Sequence, residues 1–542
     1  MKFHAPSCVT SIIWLWIRFL SNAQPFLPGV TMALEQTAVM QQADSSQEPA
    51  SAGPGISPSA IHEVAAFFRF HLWKILSVSI LVLIPCFWQK HIGFCDMASH
   101  VYNAWLASLI QHGQAPGLYL VHQWNDVLFD IPLTRLGVLF GWLLAEKIAA
   151  SLSVLTFFWG AFAFIAVASR RAPWFLIPAI VMVTYGWTFQ IGFMNYYLGI
   201  GLALLGCATL WRARGVDFLV AAIFLFLAFL AHPLGFIFLV VIFAYIRFSN
   251  LLSGWWKFLP FALSLAAVFL FGAYLINRYN GQPLSHNFLL NGADQLVLSS
   301  KYRLLAEAIL CIGAVCFLVD ATWNGRNARY WQDRSIPLSL YVISYVATFV
   351  LPDSIWLPQY PFPVTQLVMR LTLVCAIFAL CILGSLKLRI WHLAVFSAAA
   401  AFFFAFFWSD TAKLNAMETQ AEQLVRKIPQ NRRVLATIWP LPGSRLFFIN
   451  HLVDRACIGH CFSFSNYEAP SVQFRLRALP GNPFETTSVG ESDQMQSGTY
   501  LVQPKDLPIY QIEQCTPVGT SLCIEKLRAG EPNGTFSVHP TQ

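Results

Sequence analysis

Apolar runs of roughly 20 residues recur along the chain, parted by short polar stretches that hold most of the charge. About 20 apolar residues wound as a helix cross a bilayer core of about 30 Å. The pattern predicts eleven spans, near 72–88, 148–168, 173–190, 194–211, 216–231, 234–247, 258–276, 304–320, 336–351, 366–384 and 391–408. Arg69 and Lys74 flank the first span. Alternate connections then carry Arg170 and Arg171, Arg212 and Arg214, Arg247 and Lys257, Arg326, Arg329 and Arg334, and Lys387 and Arg389. The intervening connections at 191–193 and 232–233 contain no Lys or Arg. Basic connections stay in the cytoplasm, so the expected topology is N-terminus inside and C-terminal region outside. Residues 131–147 are also apolar, but a span there would invert every later connection. Arg135 at one end and Glu146 and Lys147 at the other fit a helix lying along the outer interface.

Composition agrees with that pattern. Of 542 residues, 57% are hydrophobic and 11% charged, against about 25% charged in a soluble domain. The net charge of +8 resides in the short connections, where it marks topology and not nucleic-acid binding. The expected class is an all-α polytopic membrane protein of about eleven transmembrane helices, with a small β-containing domain on the non-cytoplasmic side. The expected setting is a bacterial inner membrane. Residues 1–60 read as an N-terminal tail, with a short apolar patch (SIIWLWIRFL) that suits a cleaved signal, a surface helix or a start-site artefact. Its 35–60 portion has the composition of a disordered linker. Residues 61–408 are the transmembrane part. Residues 409–542 turn charged and gain the turns Leu441-Pro442-Gly443 and Leu479-Pro480-Gly481 and the strand-like run TYLVQ. Cys457, Cys461, Cys515 and Cys523 fall here, in what the topology makes an oxidising compartment, and suit two local disulfides. The fragment Cys457-Ile458-Gly459-His460-Cys461 lacks the second ligand pair that a zinc site needs.

The chemistry gathers in the long outer connection 89–147. Asp96 and His100 are one helical turn apart and share a face; Tyr102, Asn103 and Trp105 follow, and Gly113 and Pro116-Gly117 end the helix. His122, Trp124, Asn125, Asp126 and Asp130 form a second polar knot. A carboxylate aimed at a hydroxyl can take its proton; it can equally cap a helix or pair with a nearby base. In the connection 352–370 the prolines oppose helix, and Arg370 lies just inside the next span. A charge at that depth needs a partner, either Asp353, outer headgroups or a bound anion. Arg278, His286, Asp294 and Lys301 in the connection 277–303 are further candidates, and His232 reads as a helix-end residue.

The order of first span, early acid, Gly and Pro-Gly turn, Pro132-Leu133, Leu139-Phe140-Gly141, Ala145-Glu146-Lys147 and a span closing on Arg170-Arg171 resembles the GT-C glycosyltransferases. It is most similar to the branch with protein O-mannosyltransferases and aminoarabinose transferases. The resemblance covers roughly 70–410, with motif content in 90–171. It implies a GT-C-like fold and transfer of a sugar from a polyprenyl-phosphate donor to a glycan, lipid or protein hydroxyl on the non-cytoplasmic face, with inversion. It places the catalytic acid at Asp96 and the donor phosphate on Arg370; Lys301 or Arg278 beside that phosphate, and His100 and Asp126 as further substrate contacts, are expected from their place in the outer connections. Met97 stands where the family often has a second acid, and Lys147 where it usually has Arg. The incomplete acid pair disfavours a divalent metal, and no other cofactor is implied. Two other classes fit a polytopic chain. A transporter or lipid flippase would carry mid-span charge and two similar halves, and a membrane scaffold would tolerate change in 89–130.

Overall fold

The computed structural model describes residues 60–92, 95–211, 213, 215–253, 256, 258–284, 291–387, 390–447 and 449–534. The tail before residue 60, with its apolar patch and linker, lies outside the described residues, as do Arg212, Arg214, Lys257, His286 and Arg389.

The chain is an α-helical integral membrane protein. Every apolar run picked out above is helical: Ala60–Phe87, Trp142–Ser169, Met194–Leu210, Asp217–Ala231, Pro233–Leu251, Leu259–Tyr279, Arg303–Asn324, Ala328–Val350, Leu367–Gly384 and Ile390–Val425, with the 173–190 run broken into Ile177–Thr184 and Trp187–Ile191. Among the described residues, eight helices are long and apolar enough to cross a membrane; Met194–Leu210 and Asp217–Ala231 are apolar but shorter. Leu259–Tyr279 and Arg303–Asn324 turn Phe269, Leu270, Leu318 and Trp323 outward, as suits a surface wetted by lipid tails. Trp142–Ser169, Met194–Leu210 and Leu367–Gly384 form the packed centre, where Phe157 stacks on Tyr197 at 4.4 Å between ring centroids. Three of the connections expected on one side meet at one end, those holding Arg170 and Arg171, Arg334, and Gly384 and Ser385. Arg170 pairs with Asp333 at 2.9 Å, while Arg171 and Arg334 donate to the carbonyls of Gly384 and Ser385.

Two boundaries differ from the sequence reading. Residues 131–147 are not one helix: Asp130–Phe140 ends at Gly141, and Trp142–Lys147 form the first turns of the Trp142–Ser169 helix. Gly141 has φ +81°, a conformation that side chains resist, so the chain turns there without a loop. The border at 408/409 also falls inside a helix, since Ile390–Val425 runs unbroken. Leu414, Met417, Ala421 and Val425 recur at helical spacing and are buried, which continues the helix past the last apolar run.

The C-terminal region carries β structure. Strands β2 (Arg433–Thr437), β3 (Phe462–Ser463), β5 (Ile509–Gln514) and β6 (Leu522–Lys526) form a sheet in the order β3-β2-β5-β6, parallel except for β5–β6. The TYLVQ run supplies only a single bridge from Leu501 to Pro532. Disulfides join Cys457 to Cys461 and Cys515 to Cys523. This region is fastened to the first outer connection. Strand β1 (Leu118–Leu120) pairs antiparallel with β4 (Leu476–Ala478), the Ser463 N–H donates to Tyr102 Oη, and Asn466 Nδ2 donates to Asn103 Oδ1.

A buried ionic network completes the joint. Fully buried Glu146 meets Arg455 at 3.3 Å, accepts the Ile92 N–H and lies 3.7 Å from His91. Arg455 also reaches Glu418 at 3.3 Å, and His91 and Lys90 both reach Glu422. Lys147 donates to the Cys86 and Gln89 carbonyls at the end of the first span. The Ala145-Glu146-Lys147 motif is therefore architectural: it ties two spans to the C-terminal region.

Candidate active site

The first outer helix, Asp96–Gln111, begins on Asp96, where a carboxylate complements the positive end of the helix. Gly192 lets the next span approach this end closely, since a Cβ there would sit 2.6 Å from the Met97 nitrogen. The helix therefore starts pressed against the Gly192–Asn195 turn. Asp96 and His100, one turn apart, both face a cavity of about 420 Å³.

Three other groups of residues wall that cavity. The span ends contribute Phe193, Tyr196 and His232, the proline-containing connection contributes Tyr360, Gln366 and Arg370, and the C-terminal region contributes Tyr467, Ser492, Asp493 and Gln496. Arg370 lies in the first turn of Leu367–Gly384. Its guanidinium lies 4.2 Å from the Phe193 ring centroid, and Tyr196 Oη donates to its backbone carbonyl. Its buried Nε has no hydrogen-bond partner, and among the described residues it makes no ion pair within 4.0 Å. Asp353 accepts the Val368 N–H and caps the helix, and with Asp126 and Asp96 it acts on the guanidinium only from beyond 4.0 Å. A guanidinium withdrawn from water with carboxylates near but none in contact is incompletely compensated. Gln366, at φ +62°, also leaves its buried Oε1 unpartnered.

The acids are tuned differently. Burial raises the Asp96 carboxyl above its usual range, with the cations His451, His100 and Arg370 pulling the other way. Asp96 Oδ1 is buried without a hydrogen bond, 3.8 Å from His451 Nε2. Behind it, His451 Nδ1 lies 2.6 Å from Asp454 Oδ2, and Asp454 Oδ1 accepts from Ser463 Oγ. Burial lowers His451, but Asp454 outweighs it and the imidazole stays above its ordinary value. His100 pairs with Asp130 at 2.7 Å; against the effect of burial, that carboxylate lifts it to about 9. Asn195 Nδ2 donates to the other Asp130 oxygen. Asp126 is raised by burial to about 7 and lies 3.7 Å from His232, whose Nδ1 accepts the Leu234 N–H.

Of the residues expected at the site, Asp96, His100, Asp126 and Arg370 share this cavity. Lys301 and Arg278 do not. Lys301 pairs with Asp410 at 2.5 Å beside a different cavity, and Arg278, at the end of a peripheral helix, lies beside Tyr279. Asp294 is buried and accepts the Gly292 N–H, shaping its own turn. His451, Asp454, Tyr467 and Gln366 were not foreseen. Their only sequence signal is the three-residue spacing of His451 and Asp454, which any surface helix can show. Among the described residues no group of three or more His, Cys, Asp and Glu side chains is placed to hold a metal ion. No family model, curated protein or solved structure matches the chain.

Proposed function

We propose that the chain is a GT-C-like membrane glycosyltransferase of eleven spans, N-terminus inside and C-terminal region outside, in a bacterial inner membrane. It transfers a sugar from a polyprenyl-phosphate donor to a hydroxyl of a glycan, lipid or protein acceptor. The observation that carries this reading is the single cavity holding both a carboxylate whose Oδ1 accepts no hydrogen bond, Asp96, and a guanidinium that makes no ion pair within 4.0 Å, Arg370. A raised carboxyl is better matched to proton transfer near neutral pH than an ordinary one. Asp96 takes the acceptor proton as its oxygen attacks the anomeric carbon. The bond from that carbon to the phosphate oxygen breaks, and the sugar inverts. Arg370 stabilises the charge that returns to the polyprenyl phosphate, a task for a cation already in place. The polar side chains of the C-terminal region across the cavity receive the acceptor.

Asp96→Asn tests this in cells whose envelope glycans are resolved. A glycan product is expected to disappear at unchanged protein level, since a general base contributes about a hundredfold or more. Unaltered glycosylation would remove Asp96 from the chemistry.

A further inference from the structure

The wall that the C-terminal region gives to the Asp96 cavity is unlike the wall that holds Arg370. Its lining residues fall between Tyr467 and Phe474 and between Val489 and Gln496, and none of those facing the cavity is Lys, Arg or His. Tyr467 and Phe474 meet edge to face at 5.6 Å between ring centroids. Both are half-buried, so the corner they make is open to the cavity. Gln473 Nε2 donates to the Phe362 carbonyl, which brings Phe362 and Tyr360 of the proline-containing connection alongside.

The polar groups at this corner are unspent. Among the described residues, the Asp493 carboxylate, Gln473 Oε1 and the Tyr467 and Tyr360 hydroxyls make no hydrogen bond, and Asp493 makes no ion pair within 4.0 Å. Asp493 is exposed and the other three residues are half-buried, and each of these atoms keeps accessible surface. Burial and the nearby carboxylates of Asp96 and Glu468 hold the Tyr467 phenol well above its ordinary value, so it stays a donor.

Sign and shape decide what fits. A phosphate or carboxylate would meet Asp493 here with no cation on the same wall. A hydrocarbon chain would cover the acid, the amide and the phenols without meeting their hydrogen bonds. A sugar ring answers both demands. Its C–H face lies on an aromatic ring, while its hydroxyls donate to Asp493 and Gln473 and accept from the tyrosines.

We propose that this wall binds a sugar without anionic groups, seated on the Tyr467–Phe474 corner with its hydroxyls on Asp493 and Gln473 Oε1. Only the role of that sugar as acceptor rests on the glycosyltransferase reading. On that reading the acceptor is a glycan, and not a protein or a phosphorylated lipid.

The full chain in lipid nanodiscs, free of sugar detergents, tests this on an array of neutral, amino and uronate oligosaccharides with a Ser- and Thr-rich peptide alongside. Neutral or amino glycans should bind, their uronate counterparts about tenfold more weakly or worse, and the peptide not at all. Asp493→Asn, at an exposed position, and Tyr467→Phe should each weaken glycan binding by about tenfold at an unchanged thermal midpoint. No glycan bound, uronates bound as well as neutral glycans, or binding unaltered in both variants would overturn the assignment. Glycan binding without transfer from a polyprenyl-phosphate sugar would uphold the sugar site and remove the glycosyltransferase reading. Transfer onto the peptide, with no glycan bound, would uphold that reading and overturn the sugar site.

Discussion

Two clusters of buried charge flank the short Leu452–Cys457 helix, and they are built differently. On one side Arg455 meets Glu146 and Glu418, with His91 and Glu422 beyond, and each charge has an opposite within 4.0 Å. On the other, His451 and Asp454 back onto Asp96, whose cavity also holds Arg370 without any such neighbour. Burying paired charge offsets its own desolvation and fixes geometry. Arg370 has carboxylates near but none in contact, which leaves its guanidinium able to take up an anion from outside the chain. The first cluster is a joint and the second the candidate site, and the one helix ties the position of that site to the integrity of the joint.

Breaking the joint should have the largest effect. Glu146→Gln leaves Arg455 with one buried carboxylate fewer and is expected to destabilise by about 3–5 kcal/mol. The loss would be read as a lowered thermal midpoint and reduced yield. A midpoint equal to wild type would mean that the network does not hold the regions together. His451→Asn also breaks the buried pair with Asp454 and costs stability, so its effect on the site is read from the pH dependence of the folded protein. Removing a cation from beside Asp96 lets that carboxyl hold its proton to higher pH. The base must be ionised to work, so the acid limb of the pH–rate profile should move to higher pH, with activity restored above it. An unmoved limb would place His451 outside the electrostatics of the site. The smallest effect belongs to Arg278→Ala. Exposed and away from both clusters, it should change transfer rates by no more than about twofold; a larger loss would enlarge the site.

Much of this organisation was legible because it is local. Apolar runs located the helices, and the spacing of Asp96 and His100 put them on one face, which the cavity uses. The charge alternation anticipated that Arg170, Arg171 and Arg334 would share an end of the bundle. What could not be read is what depends on long-range pairing. Glu146 was conspicuous as part of a motif, yet its partner Arg455 is far along the chain, so its structural role was hidden. His451 reaches Asp96 only because the C-terminal region folds back on the first outer helix through Asn466 and strand β4. The border at 408 failed because hydropathy drops there while helical periodicity persists through Leu414, Met417 and Val425. Lys301 looked like a phosphate ligand until Asp410 took it up.

The claim beneath all of this is a division of labour in one cavity, with Arg370 holding the donor phosphate and Asp96 acting only in transfer. Binding of a polyprenyl-phosphate sugar to the purified full chain, measured for wild type, Asp96→Asn and Arg370→Gln, tests it most directly. Asp96→Asn should bind the donor as wild type does and fail to transfer it, while Arg370→Gln should bind roughly tenfold to a hundredfold more weakly. Donor affinity unchanged in Arg370→Gln would contradict the account.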